Sequence, residues 1–291
     1  MSFTKSEEVE QLKNQINEYC DNYTQEVDKE NEQINKNMNR YNGYINVINS
    51  ERHTLRFEIR KLYDFLSEFG DAGISITPFD YVLEELMSVN SSREVTMPES
   101  DFSARKTKLM DFAFYGVWGV VINRMKNKEI LLEKEQEFSE LKLKMEDDIE
   151  KRKELQEFYS EASQIADIYR TQIVSVRDAI IDVILPELST VRGFLYADAM
   201  KDCVLSGQSA EGVNPNSIML YKDTMYHKHY IFVKNALQFY IMICEFFKKP
   251  ILSKMIQDHV ITDDEKKEFA NEVEKMKLQI SEIKKNTTMR R

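Results

Sequence analysis

The hydrophobic positions of the amino-terminal segment recur every seven residues, with polar residues between them. One row consists of Cys20, Val27, Ile34, Tyr41, Ile48, Leu55 and Leu62. A second row, displaced by three or four residues, consists of Met38, Ile45, Arg52, Ile59 and Leu66. This spacing predicts one long coiled-coil helix over residues 1–68. We expect its interaction seam to consist of Ile34, Met38, Tyr41, Ile45, Ile48, Arg52, Leu55, Ile59 and Leu62.

The second row becomes polar toward the amino terminus, where its positions are Asn17, Thr24 and Asn31. Polar seam residues lower stability and can fix the register of paired helices. The first third of this helix is therefore expected to pack more loosely than the part from Ile34 to Leu66.

A second long helix is predicted over residues 101–205, since neither glycine nor proline occurs between Val120 and Leu185. Its heptad row contains Leu155, Ala162, Tyr169, Val176 and Val183, beside a parallel row of Tyr159, Ala166, Ile173 and Ile180. So broad an apolar stripe indicates packing against more than one neighbour. Pro186 is expected to kink or restart this helix.

Residues 69–100, which contain Gly70, Gly73 and Pro78, are predicted to form connecting loops with one short helix. Because they join two long helices of similar length, an antiparallel helical hairpin is the simplest topology. Residues 206–291 begin with a glycine-containing loop, followed by helices that pack back on the long ones. The last helix opens with the capping-box sequence Thr262 to Glu265 and carries an apolar row of Phe269, Val273, Met276, Ile280 and Ile283.

The predicted fold class is therefore all-α, an elongated antiparallel helical hairpin or coiled coil with a smaller carboxy-terminal helical bundle. Acidic residues outnumber basic ones by 50 to 40, which argues against nucleic-acid binding because phosphates require a basic face. The three cysteines have no disulfide or metal-knuckle spacing, and the charged amino terminus is not a signal peptide. Both features favour a cytoplasmic location.

Catalytic patterns are weak throughout the chain. No phosphate-binding glycine motif occurs, and Gly207 to Glu211 only partly matches a nucleophile elbow around Ser209. His227 and His229 have no third ligand at metal-binding spacing. The paired Asp147 and Asp148 are interpreted as a solvated helix face. We therefore expect no enzymatic activity, no cofactor and no metal.

The most apolar segment runs from Phe112 to Ile122, too short to cross a bilayer alone. It is interpreted as a buried helix turn or, alternatively, as a membrane or partner tip formed by Phe112, Phe114, Tyr115 and Trp118. Long helices with one short apolar segment resemble, in architecture only, bacterial α-helical pore-forming toxins.

Two functions follow as expectations. The first is a non-enzymatic coiled-coil scaffold or assembly subunit that contacts protein partners, or a second copy of itself, through its helices. The alternative is a membrane-acting helical protein, pore-forming or membrane-remodelling, that uses segment 112–122.

Overall fold

The structure, a computed structural model, describes residues 5–69, 128–209, 227–248 and 262–287. Helices account for 96% of the described residues, and no strand occurs among them, which confirms the all-α class. The elements are α1 (Lys5–Glu68), α2 (Lys128–Ala179), a π-helical turn (Ile180–Ile184), α3 (Leu185–Ser206), α4 (His227–Lys248) and α5 (Asp263–Lys285).

The described residues belong to two compact units. The first unit contains α1 as far as Tyr41 and α2 as far as Ser163. The second contains α1 from Asn42 onward, α2 from Gln164 onward, the π-helical turn, α3, α4 and α5.

In the first unit, α1 and α2 run in the same direction. Tyr19 contacts Glu146 and Tyr23 contacts Asp148, while Asn37, much later on α1, contacts the later residue Gln156. The sequence separation of these pairs stays between 119 and 127 residues. In an antiparallel pair, the residue number on α2 would instead decrease as the residue number on α1 increases. The antiparallel hairpin predicted from the sequence is therefore wrong in its direction.

The second unit shows the same parallel pairing. Arg170 lies over the Tyr44 ring, Arg177 pairs with Glu51, and Arg192 lies over the Phe65 ring. The physical reason for the error is that a heptad row marks one face of a helix, and this face is the same whichever way the partner helix runs.

The buried row of α1 changes register in its first half. Ile16, Tyr23 and Glu30 are buried, each one residue before the expected Asn17, Thr24 and Asn31. From Glu30 the next buried positions follow at two successive steps of four residues. Such a four-residue stutter locally unwinds a coiled coil, and it explains why a strict heptad frame fails here.

The described part of the second unit is a helical bundle. Its α4 and α5 are antiparallel, because Asn235 contacts Gln279 whereas Phe246, farther along α4, stacks on Phe269 at the start of α5. Thr262 caps α5 through a complete capping box with Glu265. The apolar row predicted for α5 is buried, so one face of this helix packs against the core of the unit: Phe269, Val273, Met276, Ile280 and Ile283.

The junction between α2 and α3 is a π-helical turn and not a simple kink. The N–H of Leu185 donates to the carbonyl of Ile180, five residues earlier, and Pro186 lies in the first turn of α3. The α3 helix ends at Gly207, whose φ of 68° is left-handed and favours glycine.

Candidate functional site

The structure places the nine predicted seam residues inside the chain. All nine, from Ile34 to Leu62, are buried, and the aliphatic members from Ile45 to Leu62 have no exposed surface. In the first unit, Ile34 and Met38 form one cluster with Tyr159 of α2. These residues therefore hold helices of one chain together and offer no open surface to a partner.

A polar layer crosses the seam of the first unit. The hydroxyl of Tyr23 donates to Asp148 Oδ2 at 2.9 Å, and Arg152 Nε donates to the same oxygen at 3.2 Å. Arg152 Nη1 also donates to Asn31 Oδ1, although only 8% of Arg152 is exposed. Because each buried polar group needs its partner, this layer favours one register of α1 against α2.

Exposed polar pairs flank that layer. Tyr19 donates to Glu146 Oε1 at 3.2 Å, and Lys153 Nζ lies 2.7 Å from Glu26 Oε1. Burial, followed by the charge of Glu146, raises the pKa of Tyr19 to about 12. The hydrogen bond to Glu26 raises the pKa of Lys153. Surface pairs of this kind add little to stability but agree with the parallel register.

The second unit has its own polar position, Arg52, within an aromatic cluster. The Arg52 guanidinium carbon lies 5.8 Å from the centre of the Tyr169 ring. That ring stacks on Phe246 at 5.6 Å and meets Phe247 edge-on at 5.8 Å. Burial raises the pKa of the Tyr169 hydroxyl, while the nearby Arg52 charge opposes the rise. Tyr169 thus joins α1, α2 and α4 in one cluster.

Sequence reasoning missed the role of Asp148. Asp147 is exposed and pairs with Lys151 at 2.7 Å, as a solvated face should. Asp148, however, turns toward α1 and joins the buried polar layer. A signal was present, because Arg152 falls midway between Met145 and Tyr159 at heptad spacing, which marks it as a seam position.

The described residues that could support chemistry have ordinary surroundings. His227 and His229 both lie in the first turn of α4. Within the described part of the chain, no group of three or more potential metal ligands comes together. Burial raises the pKa of the Cys20 thiol to about 11, which disfavours its reactive thiolate form.

The proposed tip residues Phe112, Phe114, Tyr115 and Trp118 lie outside the described residues. Within the described ones, only His229–Phe247 of α4 is long and apolar enough to cross a bilayer by length and composition, and 56% of it is buried inside the chain. Its exposed positions include Lys234, Gln238 and Glu245, so α4 has the pattern of an amphipathic core helix.

Several exposed apolar side chains lie on α3, and the two most exposed lie at its end. Phe194 and Tyr196 are exposed, and Val204 and Leu205 are exposed by 70% and 74%. Ala199 is the last buried residue of this helix. Among the described residues, the end of α3 therefore presents apolar surface to solvent.

No family model, no curated protein and no solved structure matches this chain.

Proposed function

We propose that this chain is a non-enzymatic helical assembly subunit that binds a second copy of itself, or another protein, through helix contacts. The observation that carries the proposal is the apolar end of α3, where Val204 and Leu205 are largely exposed. Apolar side chains clustered on a surface commonly mark a protein contact.

The parallel pairing of α1 with α2 supports the same proposal. The Tyr23–Asp148–Arg152 layer and the Arg52 position favour a single register within each unit. Helices held in one register give each unit a single packed arrangement, and such an arrangement is what a scaffold or assembly subunit needs.

The test is light scattering of the purified full chain over a range of concentrations, beside the double variant Val204→Glu/Leu205→Glu. We expect the wild type to exceed the monomer mass and the variant to return to it, with an unchanged melting temperature. The matched control is Ser206→Glu/Gln208→Glu, which adds the same charge at neighbouring exposed polar positions. A monomeric wild type at every concentration would reject self-association.

A membrane-acting role through segment 112–122 is the second candidate, supported by the eleven uncharged residues from Phe112 to Ile122. Its test is co-sedimentation of the chain with liposomes. Binding that Val204→Glu/Leu205→Glu leaves unchanged would favour this second candidate, whereas no binding to neutral or anionic liposomes would reject it.

A further inference from the structure

The buried positions of α2 and α3 are spaced differently from those of α1. On α1, the row Ile48, Arg52, Leu55, Ile59, Leu62 alternates steps of four and three. On the facing helix, the row Val176, Ile180, Ile184, Leu188, Val191, Leu195 contains three successive steps of four. Over the same stretch of contact, the second helix therefore contains one residue more than α1.

The paired residues on either side of the π-helical turn are consistent with this excess. Before the turn, Arg177 contacts Glu51, which is 126 residues earlier. After the turn, Arg192 lies over Phe65, and this pair is separated by one residue more. A π turn, which closes its hydrogen bond over five residues, accommodates one extra residue inside a helix. The turn at Ile180–Ile184 thus takes up the mismatch between the two helices.

The amino-acid sequence after the turn requires this rotation. A regular α-helix would continue the heptad rows through Val183, Thr190 and Lys201. The turn instead brings Ile184, Leu188 and Val191 to the seam, all without exposed surface. Burying Thr190 in place of an aliphatic residue would cost free energy, which favours the turn, although Glu187 of the second row is also buried.

Pro186 weakens the same junction. A proline has no N–H, so it cannot donate to the carbonyl of Asp182 four residues earlier, and its ring crowds that carbonyl. The hydrogen-bond ladder of α2 is therefore interrupted just where the extra residue lies. The junction therefore has fewer backbone hydrogen bonds than a regular α-helix would have.

We propose that Ile180–Pro186 is a conformational joint, a one-residue insertion about which α3 turns as a unit relative to α2. The joint determines which way the outer face of α3 points, including Phe194. This proposal does not depend on the proposed self-association, because the test of the joint measures the stability and the motion of a single chain.

The test removes the extra residue. The variant lacking Asp182 restores alternating steps of three and four from Val176 to Leu195. We expect it to keep or raise the melting temperature and to slow hydrogen exchange of α3 amides about tenfold, because opening at the joint is lost. The matched control lacks Thr171, another exposed residue of the same helix, whose removal rotates every later seam position out of the core. It should lose cooperative unfolding.

Two outcomes would overturn the proposal. If the chain without Asp182 loses cooperative unfolding as the chain without Thr171 does, the turn does not contain an extra residue. If it folds but exchanges its α3 amides at the wild-type rate, the turn is not a joint. Pro186→Ala gives an independent check, because it restores the missing N–H. It should slow α3 exchange severalfold, and unchanged exchange in this variant also contradicts the joint.

Discussion

Arg52 lies against the face of Tyr169 inside the second unit, with its guanidinium carbon 5.8 Å from the ring centre. The two residues are on α1 and α2, and Phe246 and Phe247 of α4 surround the same ring. A buried arginine lowers stability unless its charge is compensated, and the electron-rich face of the ring supplies part of that compensation.

Truncating Tyr169 should therefore be among the most damaging changes in the second unit. Tyr169→Ala removes a fully buried ring and should lower the free energy of unfolding by about 3–5 kcal/mol. Tyr169→Phe keeps the ring contacts and removes only the hydroxyl, at a cost of about 1 kcal/mol. Chemical denaturation followed by circular dichroism measures both. Equal losses for the two variants would contradict the ring-centred packing.

The polar layer of the first unit predicts a contrast between two adjacent residues. Arg152→Ala leaves Asp148 half-buried without its charged partner and should cost about 2–3 kcal/mol. Lys151→Ala breaks an exposed pair with Asp147 and should cost at most about 0.5 kcal/mol. Denaturation of the two variants side by side measures the difference. Similar costs would mean that the layer does not contribute to pairing.

Much of the fold could be predicted because the heptad rows identify one face of each helix. The positions Ile34 to Leu62 were found in this way, and the capping box at Thr262 correctly located the start of α5. The direction of pairing could not be predicted, since the rows are the same for parallel and antiparallel partners. The joint was missed because the heptad row of the second long helix was extended from Val176 to Val183. The apolar residues Ile180, Ile184 and Leu188 lie four residues apart and already indicated a change of spacing.

The candidate site was less predictable than the fold. The seam residues were identified from spacing, but their burial within one chain depends on a partner helix more than a hundred residues away. The exposed apolar end of α3 looked like ordinary helix in the sequence. Only the position at which the bundle stops covering α3, near Ala199, distinguishes Val204 and Leu205 from core residues.

The buried row of α1 predicts that the loss of stability caused by one introduced charge depends strongly on its position. Ile48→Asp places a carboxylate at a site without exposed surface and should unfold the second unit, or cost more than about 3 kcal/mol. Thr54→Asp introduces the same side chain on the exposed face of α1 and should change stability by less than about 0.5 kcal/mol. Glu51 is unsuitable as a control, since it pairs with Arg177. Thermal unfolding of both variants decides whether this row is the core.

Alkaline pH should destabilise the fold. Burial raises the pKa of Tyr19 to about 12 and also raises the pKa of Tyr159, Tyr169 and Tyr240. Because the folded state holds these protons more tightly, their contribution is complete below about pH 10 and is lost as pH rises through the folded values. Urea denaturation from pH 8 to 11 should show stability falling above about pH 10. A flat profile would contradict the burial of these hydroxyls.

The parallel direction of α1 and α2 can be tested by zero-length coupling of carboxylates to amines. Such a reagent joins only groups already in contact, and Lys153 Nζ lies 2.7 Å from Glu26 Oε1 in the first unit. We expect mass spectrometry to identify a peptide pair joined through these two residues in the monomeric fraction. Lys153→Arg keeps the charge but does not react, so it should remove that product while leaving the melting temperature unchanged. If Glu26 is instead joined to a lysine far from Lys153 along α2, the two helices do not pair in parallel.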